Sequence, residues 1–132
     1  MNALDTAAAI VERAWCRSTM VAETGDKFCA AGALISAMGY EYKFIEDSNY
    51  VSGGYYSNDA VIKNGEEFGA YDVLEDTPEG RALAKAIISE NWQEHDADTS
   101  TIYDWNDNHA KDHDDVARIM RKGARILDEQ QG

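Results

Sequence analysis

The segment from residue 27 to residue 38 constrains the fold more than any other part of the chain. It reads Lys-Phe-Cys-Ala-Ala-Gly-Ala-Leu-Ile-Ser-Ala-Met, which is apolar on almost every side of a helix. Such a helix is usually buried, and its small side chains let neighbouring backbones approach closely. Gly39 follows as a C-terminal cap. The sequence therefore predicts a helix over residues 27–38 that is the most buried element of the fold.

Three further segments have the sequence signals of helices. Residues 3–16 place their apolar side chains on one stripe. Thr77 followed by Pro78 marks the start of a helix that is expected to run to about Trp92. A last helix over about 113–129 has acidic residues in its first turn and basic residues late, as the helix dipole favours. The prediction is a single, mainly α domain that spans residues 1–132 and contains about four helices.

Residues 40–72 have a different character. Aromatic and charged residues alternate over 40–44, and the pairs Gly53-Gly54 and Asn64-Gly65 are turn signals. We expect a small β-hairpin or an ordered aromatic loop here, between the second and third helices.

The charge balance excludes some classes of partner. The chain has 132 residues, of which 12 are basic and 25 acidic, and its formal net charge is −13. Direct binding to nucleic acid or to anionic membranes is disfavoured, because both require positive charge. The sequence contains neither an apolar run of the roughly 20 residues that span a bilayer nor a signal for export. We therefore expect a cytoplasmic protein without a membrane partner.

A cysteine nucleophile is the first candidate for chemistry. Cys29 lies near a helix start, which lowers the pKa of a thiol, and His95 and His109 follow downstream. Asp107 or Asn106 could orient an imidazole. A cysteine-dependent hydrolase or transferase is therefore an alternative function. The preferred interpretation is a buried free cysteine in a protein with no catalytic residue, because no glycine-rich oxyanion loop flanks this position.

A cation site is the second candidate. Acidic and amide side chains between residues 104 and 115 approach the spacing of an EF-hand loop. However, His109 stands where that loop needs glycine. A solvated acidic loop that caps the last helix is the preferred interpretation, and no metal or cofactor is predicted.

Two groups of residues are candidates for binding a partner. The first comprises Tyr55 and Tyr56 of the aromatic region, because tyrosines often anchor protein contacts. For the aromatic stretch 40–71 as a whole, packing within the core and the hairpin is the preferred interpretation. A surface for a partner or for self-association as a homo-oligomer is the first alternative, and a small-ligand site is the second. The second group is the triplet Trp105-Asn106-Asp107.

The order of two short motifs resembles that of a known family. The segment Cys29-Ala30-Ala31-Gly32-Ala33-Leu34 is followed far downstream by Trp105-Asn106-Asp107. This arrangement is similar to an uncharacterised family of small proteins from actinobacteria and their bacteriophages. The resemblance implies a small, mainly helical protein, with residues 40–72 as a variable insertion, and it supplies no catalytic residue.

The resemblance also suggests a structural role for both motifs. Ala31, Gly32 and Ala33 would let another helix or the Trp105 loop approach closely, while Asn106 or Asp107 would bind backbone at a helix end. A ligand crevice beside Cys29 and Asn106 is the functional alternative.

The function that we expect is that of a non-enzymatic accessory protein, encoded by a phage or mobile element. It would bind a host protein through its acidic or aromatic surface, in host takeover or counter-defence. An acidic protein that mimics DNA is a further alternative.

Overall fold

The computed structural model describes residues 2–90 and 99–131, apart from the side chains of residues 99, 100 and 131. These residues form six helices and a three-stranded antiparallel sheet, which is an α+β fold. The prediction of a mainly α domain of about four helices is therefore wrong. The elements in chain order are α1 (Ala3–Ala14), α2 (Ala30–Ala37), β1 (Glu41–Glu46), β2 (Gly54–Lys63), β3 (Glu66–Gly69), α3 (Ala70–Asp76), α4 (Pro78–Ile88), α5 (Thr99–Asn108) and α6 (His113–Gln131).

The two unpredicted helices are α3 and α5. Helix α3 has only seven residues and lies in the aromatic region. Helix α5 includes residues 104–108, the first part of the stretch that was expected to be an acidic loop, and its Asp, Asn and Thr residues have weak helix propensity. Burial of Ile102 and Trp105 compensates for that weakness, because most helical stability in proteins comes from tertiary packing. The expected end of the third helix at Trp92 lies outside the described residues.

Helix α1 begins at a complete capping box. The side chain of Asn2 accepts hydrogen bonds from the backbone N–H groups of Leu4 and Asp5, and the Asp5 carboxylate accepts one from the backbone N–H of Asn2. The Asn2 amide also donates to the carbonyl of Ala124 at 3.1 Å, which attaches the start of α1 to α6. The helix ends at Ala14, since Trp15 is extended and forms a bridge with Phe28.

Helix α2 is confirmed as the helix with the largest buried share among the described residues. Six of its residues in a row, from Ala30 to Ile35, are buried. It starts later than predicted because Phe28 bridges both Trp15 and Val21, which leaves Cys29 as the N-cap. Its small residues allow it to contact α1, α3, α4, α5 and β1.

The sheet follows α2 and has the strand order β1-β2-β3. Tyr42 pairs with Val61, and both side chains are buried against the helices. Strands β2 and β3 are joined by Asn64-Gly65, where both residues have positive φ, as a tight primed hairpin turn requires. The predicted hairpin thus corresponds to β1 and β2, and the sheet has a third strand.

Helix α6 packs along α1 and α4 and closes the helical layer. Arg121 of α6 pairs with Glu12 of α1, and Arg118 and Lys122 pair with Glu90 beyond the end of α4. None of the described helices combines the length and the apolar character that a membrane span requires.

Candidate functional site

Asn106, the middle residue of the Trp-Asn-Asp motif, joins three separate segments of the chain. It is fully buried, and its Oδ1 accepts hydrogen bonds from the backbone N–H of Ala30 at 2.9 Å and from Nε1 of Trp15 at 2.7 Å. Its Nδ2 donates to the carbonyl of Cys16 at 3.4 Å. Because Ala30 is the first residue of α2, Asn106 caps a helix from a distant part of the chain, as predicted from the motif. We call these contacts the Asn106 junction.

Gly32 allows the loop between α1 and α2 to approach α2. A Cβ atom at this position would lie 1.9 Å from the carbonyl oxygen of Met20, which is far inside van der Waals contact. The expected partner of the small-residue motif was another helix or the Trp105 loop. At Gly32 itself the close neighbour is the backbone of Met20, while the helix as a whole also contacts α1 and α5, the helix that carries Trp105. Trp105 is 6% exposed and belongs to the core.

Cys29 is buried and caps α2 with its sulfur. Its Sγ accepts a hydrogen bond from the backbone N–H of Gly32 at 3.4 Å. The helix start was expected to lower the pKa of the thiol. Burial outweighs that effect and raises the pKa of Cys29 to about 12, so the sulfur is a neutral thiol at pH 7.

Of the two histidines in the candidate catalytic set, the structure describes only His109. His95 lies outside the described residues. His109 is exposed and is not among the described residues that line the cleft beside Cys29. Of the candidate catalytic residues that the structure describes, it brings Cys29 and Asp107 to one cleft.

That cleft has a volume of about 330 Å³. Asp107 contributes a carboxylate whose Oδ1 accepts hydrogen bonds from the backbone N–H of Ser18 at 2.8 Å and from Nδ2 of Asn106 at 3.0 Å. Tyr71 and Tyr103 line the cleft as a ring pair with centroids 5.2 Å apart. We call this site the Asp107 cleft. The crevice expected beside Cys29 and Asn106 is thus lined by Asp107, while Asn106 itself is buried.

The sequence pattern did not single out Tyr71 and Tyr103 as residues of one cleft. They lie on α3 and α5, the two helices that the sequence pattern failed to predict. A single sequence offers no signal that joins them, because their proximity depends on how these helices pack.

The acidic stretch around α5 and α6 shows no metal centre in the described structure. No group of three or more His, Cys, Asp or Glu side chains in residues 2–90 and 99–130 is placed to hold an ion. Asp104 instead accepts a hydrogen bond from the Asn108 amide, and Asp112 accepts one from the backbone N–H of Asp115 in the first turn of α6.

The β1-β2 hairpin carries aromatic and aliphatic side chains at the end that holds its turn. We define the hairpin tip as residues 44–56. Phe44 is 43% exposed and packs against Tyr56 with ring centroids 5.2 Å apart, and Val51 is fully exposed. Tyr50 and Tyr55 form a second ring pair at 5.0 Å. Of the tyrosines singled out in the sequence, Tyr55 and Tyr56 are each half-buried.

Comparison with known proteins identifies a family to which the chain is similar, but no individual protein. No curated protein and no solved structure shows significant similarity to the chain. The model of a family of unknown function, DUF6197, matches residues 2–126. This match confirms the predicted membership of an uncharacterised family. Because it covers nearly the whole sequence, the chain belongs to the family DUF6197.

Proposed function

We propose that this protein is non-enzymatic and acts by binding another protein through the hairpin tip. The observation that carries the proposal is the exposure of large apolar side chains there, above all Val51 and Phe44. Apolar groups on a surface cost free energy in water and are typical of interaction sites when they cluster. The resemblance to phage proteins makes a host protein the expected partner.

The rings around these residues suit a contact surface. Tyrosine and phenylalanine bury a large area and have few rotatable bonds. Aromatic residues are also frequent among the side chains that contribute most of the binding energy. Tyr50 packs against Tyr55, and Phe44 packs against Tyr56. The contact within each pair restricts both rings before a partner binds. Such preorganisation reduces the entropy lost on association.

The charge of this region specifies the chemistry of the partner. The hairpin tip, residues 44–56, contains Glu46 and Asp47 but no Lys or Arg. Lys43, which directly precedes the tip, pairs with Glu67 of β3. Glu23 lies near enough to raise the pKa of the Tyr50 hydroxyl by its negative charge. A partner with an apolar patch surrounded by basic residues complements this surface. Self-association through the same surface is disfavoured, because it would bring like charges together.

The two alternatives from the sequence receive less support. A cysteine-dependent enzyme needs a reactive thiolate, whereas Cys29 is buried and protonated at neutral pH. A DNA mimic needs carboxylates arranged along one face. Acidic residues here lie on all three strands and on α1, α3 and α6, which speaks against that arrangement.

The experiment is affinity capture from an actinobacterial lysate with three forms of the protein. The wild type is compared with a tip variant, Tyr50→Ala with Val51→Ser, and with Tyr71→Ala. Tyr71 is a matched control, because it is 50% exposed but lies on α3 outside the hairpin. Circular dichroism verifies that all three are folded.

The proposal predicts that the same protein is captured by the wild type and by Tyr71→Ala. Its affinity for the tip variant, measured with purified components, should be at least about tenfold lower, because anchor residues contribute most of the binding energy. Binding should also weaken as salt is added. Equal affinity for the tip variant and the wild type would contradict the proposal.

A further inference from the structure

The Asp107 cleft has the chemistry of a ligand site that is separate from the hairpin tip. Its residues come from the loop after α1, the start of α2, β2, α3 and α5, so it forms only in the folded chain. Its volume of about 330 Å³ is within the range of clefts that bind small molecules. The ligand class follows from the charge and the rings of its lining.

Asp107 gives the cleft a fixed negative group. Two N–H donors orient its Oδ1 atom, which leaves the second carboxylate oxygen free of any hydrogen bond in the described structure. No Lys, Arg or His is among the described residues that line the cleft. Arg17, which precedes Ser18, is held elsewhere, since its guanidinium donates to the carbonyl of Ala110 and lies 4.6 Å from the centroid of the Trp15 ring.

The other titratable groups in the cleft do not compensate this charge. Burial raises the pKa of Cys29 and the pKa of Tyr103, so the thiol and this phenol stay neutral at pH 7. The faces of the Tyr71 and Tyr103 rings carry negative electrostatic potential, which attracts cations. Among the described lining residues, an anionic ligand would therefore meet only repulsion or neutral groups.

We propose that the Asp107 cleft binds a small primary amine with a flat apolar portion. The ammonium group pairs with the carboxylate of Asp107, and the apolar portion packs against Tyr71 and Tyr103. The net charge of −13 favours the approach of such a cation.

The probe is tyramine, compared with 4-ethylphenol, which has the same ring and carbon chain but lacks the amine. Both are titrated into the ¹⁵N-labelled wild-type protein while amide shifts are followed by NMR. Tyramine should cause saturable shifts at Ser18, Tyr71 and Tyr103. The affinity for 4-ethylphenol should be at least about tenfold lower, because a charge-assisted hydrogen bond is lost.

Two variants on α5 test the role of the carboxylate. Asp107→Asn keeps an oxygen that accepts the hydrogen bonds from Ser18 and Asn106 but removes the charge, so tyramine binding should weaken at least about tenfold. Asp104→Asn is the matched control, since Asp104 lies on the same helix and pairs with Asn108 outside the cleft. Its affinity for tyramine should equal that of the wild type.

The proposal is overturned if tyramine causes no saturable shift, or if 4-ethylphenol binds the wild type equally well. These titrations of the wild-type protein test the proposed amine site even if Asp107→Asn fails to fold. A folded tip variant, Tyr50→Ala with Val51→Ser, should bind tyramine normally. This separates failure of the cleft from failure of the proposed protein interface.

Discussion

Two buried polar side chains show how single residues contribute to this fold. Asn106 has hydrogen-bond partners for both its oxygen and its nitrogen. Tyr42 is the opposite case, since its hydroxyl is buried and has no hydrogen-bond partner within the described structure. A buried polar group costs free energy unless it is paired, so the two residues should respond differently to substitution.

Tyr42→Phe is expected to raise the free energy of unfolding by about 1 kcal/mol, because it removes an unpaired hydroxyl and keeps the ring beside Phe28. Urea denaturation at pH 7 measures the difference. A loss of stability would contradict this account and indicate that the hydroxyl has a partner.

The thiol of Cys29 should be inert in the folded protein. We expect iodoacetamide at pH 8 to modify Cys29 at least about a hundredfold more slowly in the native protein than in urea, because the sulfur is buried and its pKa is raised to about 12. Mass spectrometry of peptides gives both rates. Native labelling faster than that of free cysteine would instead favour the enzymatic alternative.

The same pKa shift has a consequence at alkaline pH. The folded-state pKa of Cys29 lies above its ordinary value of 9.0, so its contribution to stability is complete below pH 9. It is lost as the pH rises towards about 12, because the unfolded chain ionises first. Stability should therefore fall over this interval, and the fall should be shallower in Cys29→Ala.

At the scale of helices, two glycines lie in different surroundings: Gly32 is in close contact with a backbone atom, whereas Gly123 has ordinary packing contacts. Gly32→Ala should cost at least about 3 kcal/mol, because its methyl group would overlap the backbone oxygen of Met20. Gly123→Ala is the matched control within α6. Its methyl group would lie 3.4 Å from Leu4 and from the backbone of Leu83, and alanine favours a helix.

Urea denaturation of both variants tests the comparison. Gly123→Ala should change the free energy of unfolding by no more than about 1 kcal/mol in either direction. If both variants lost a similar free energy of unfolding, the close approach of the Met20 backbone to α2 would not explain the need for glycine at position 32.

The sequence predicted those elements whose local signals agree with their packing. The apolar run of α2, the proline start of α4 and the long amphipathic α6 all have such agreement. It failed for α3, which is short, and for α5, whose polar residues indicate a loop. Those helices depend on contacts with distant residues, which a propensity pattern does not contain.

At the scale of the whole molecule, the two sequence motifs meet at the Asn106 junction. The motif order allowed a helix-end hydrogen bond to be predicted, and that bond joins Asn106 to Ala30. The further links to Trp15 and Cys16 could not be predicted, because they require the path of the loop after α1. The same limit applies to the Asp107 cleft, whose tyrosines come from two unpredicted helices.

This arrangement separates the residues that hold the fold together from the surfaces proposed to bind. Asn106, Trp105 and Gly32 are buried, whereas the hairpin tip and the Asp107 cleft are open to solvent. We therefore expect Asn106, Trp105 and Gly32 to affect function only by keeping the chain folded.

The most direct test is the free energy of unfolding of Asn106→Ala, measured by urea denaturation. The substitution leaves the N–H groups of Ala30 and Trp15 without their acceptor, so we predict a loss of about 2–4 kcal/mol. A free energy of unfolding within about 0.5 kcal/mol of the wild-type value would show that the Asn106 junction does not stabilise the fold.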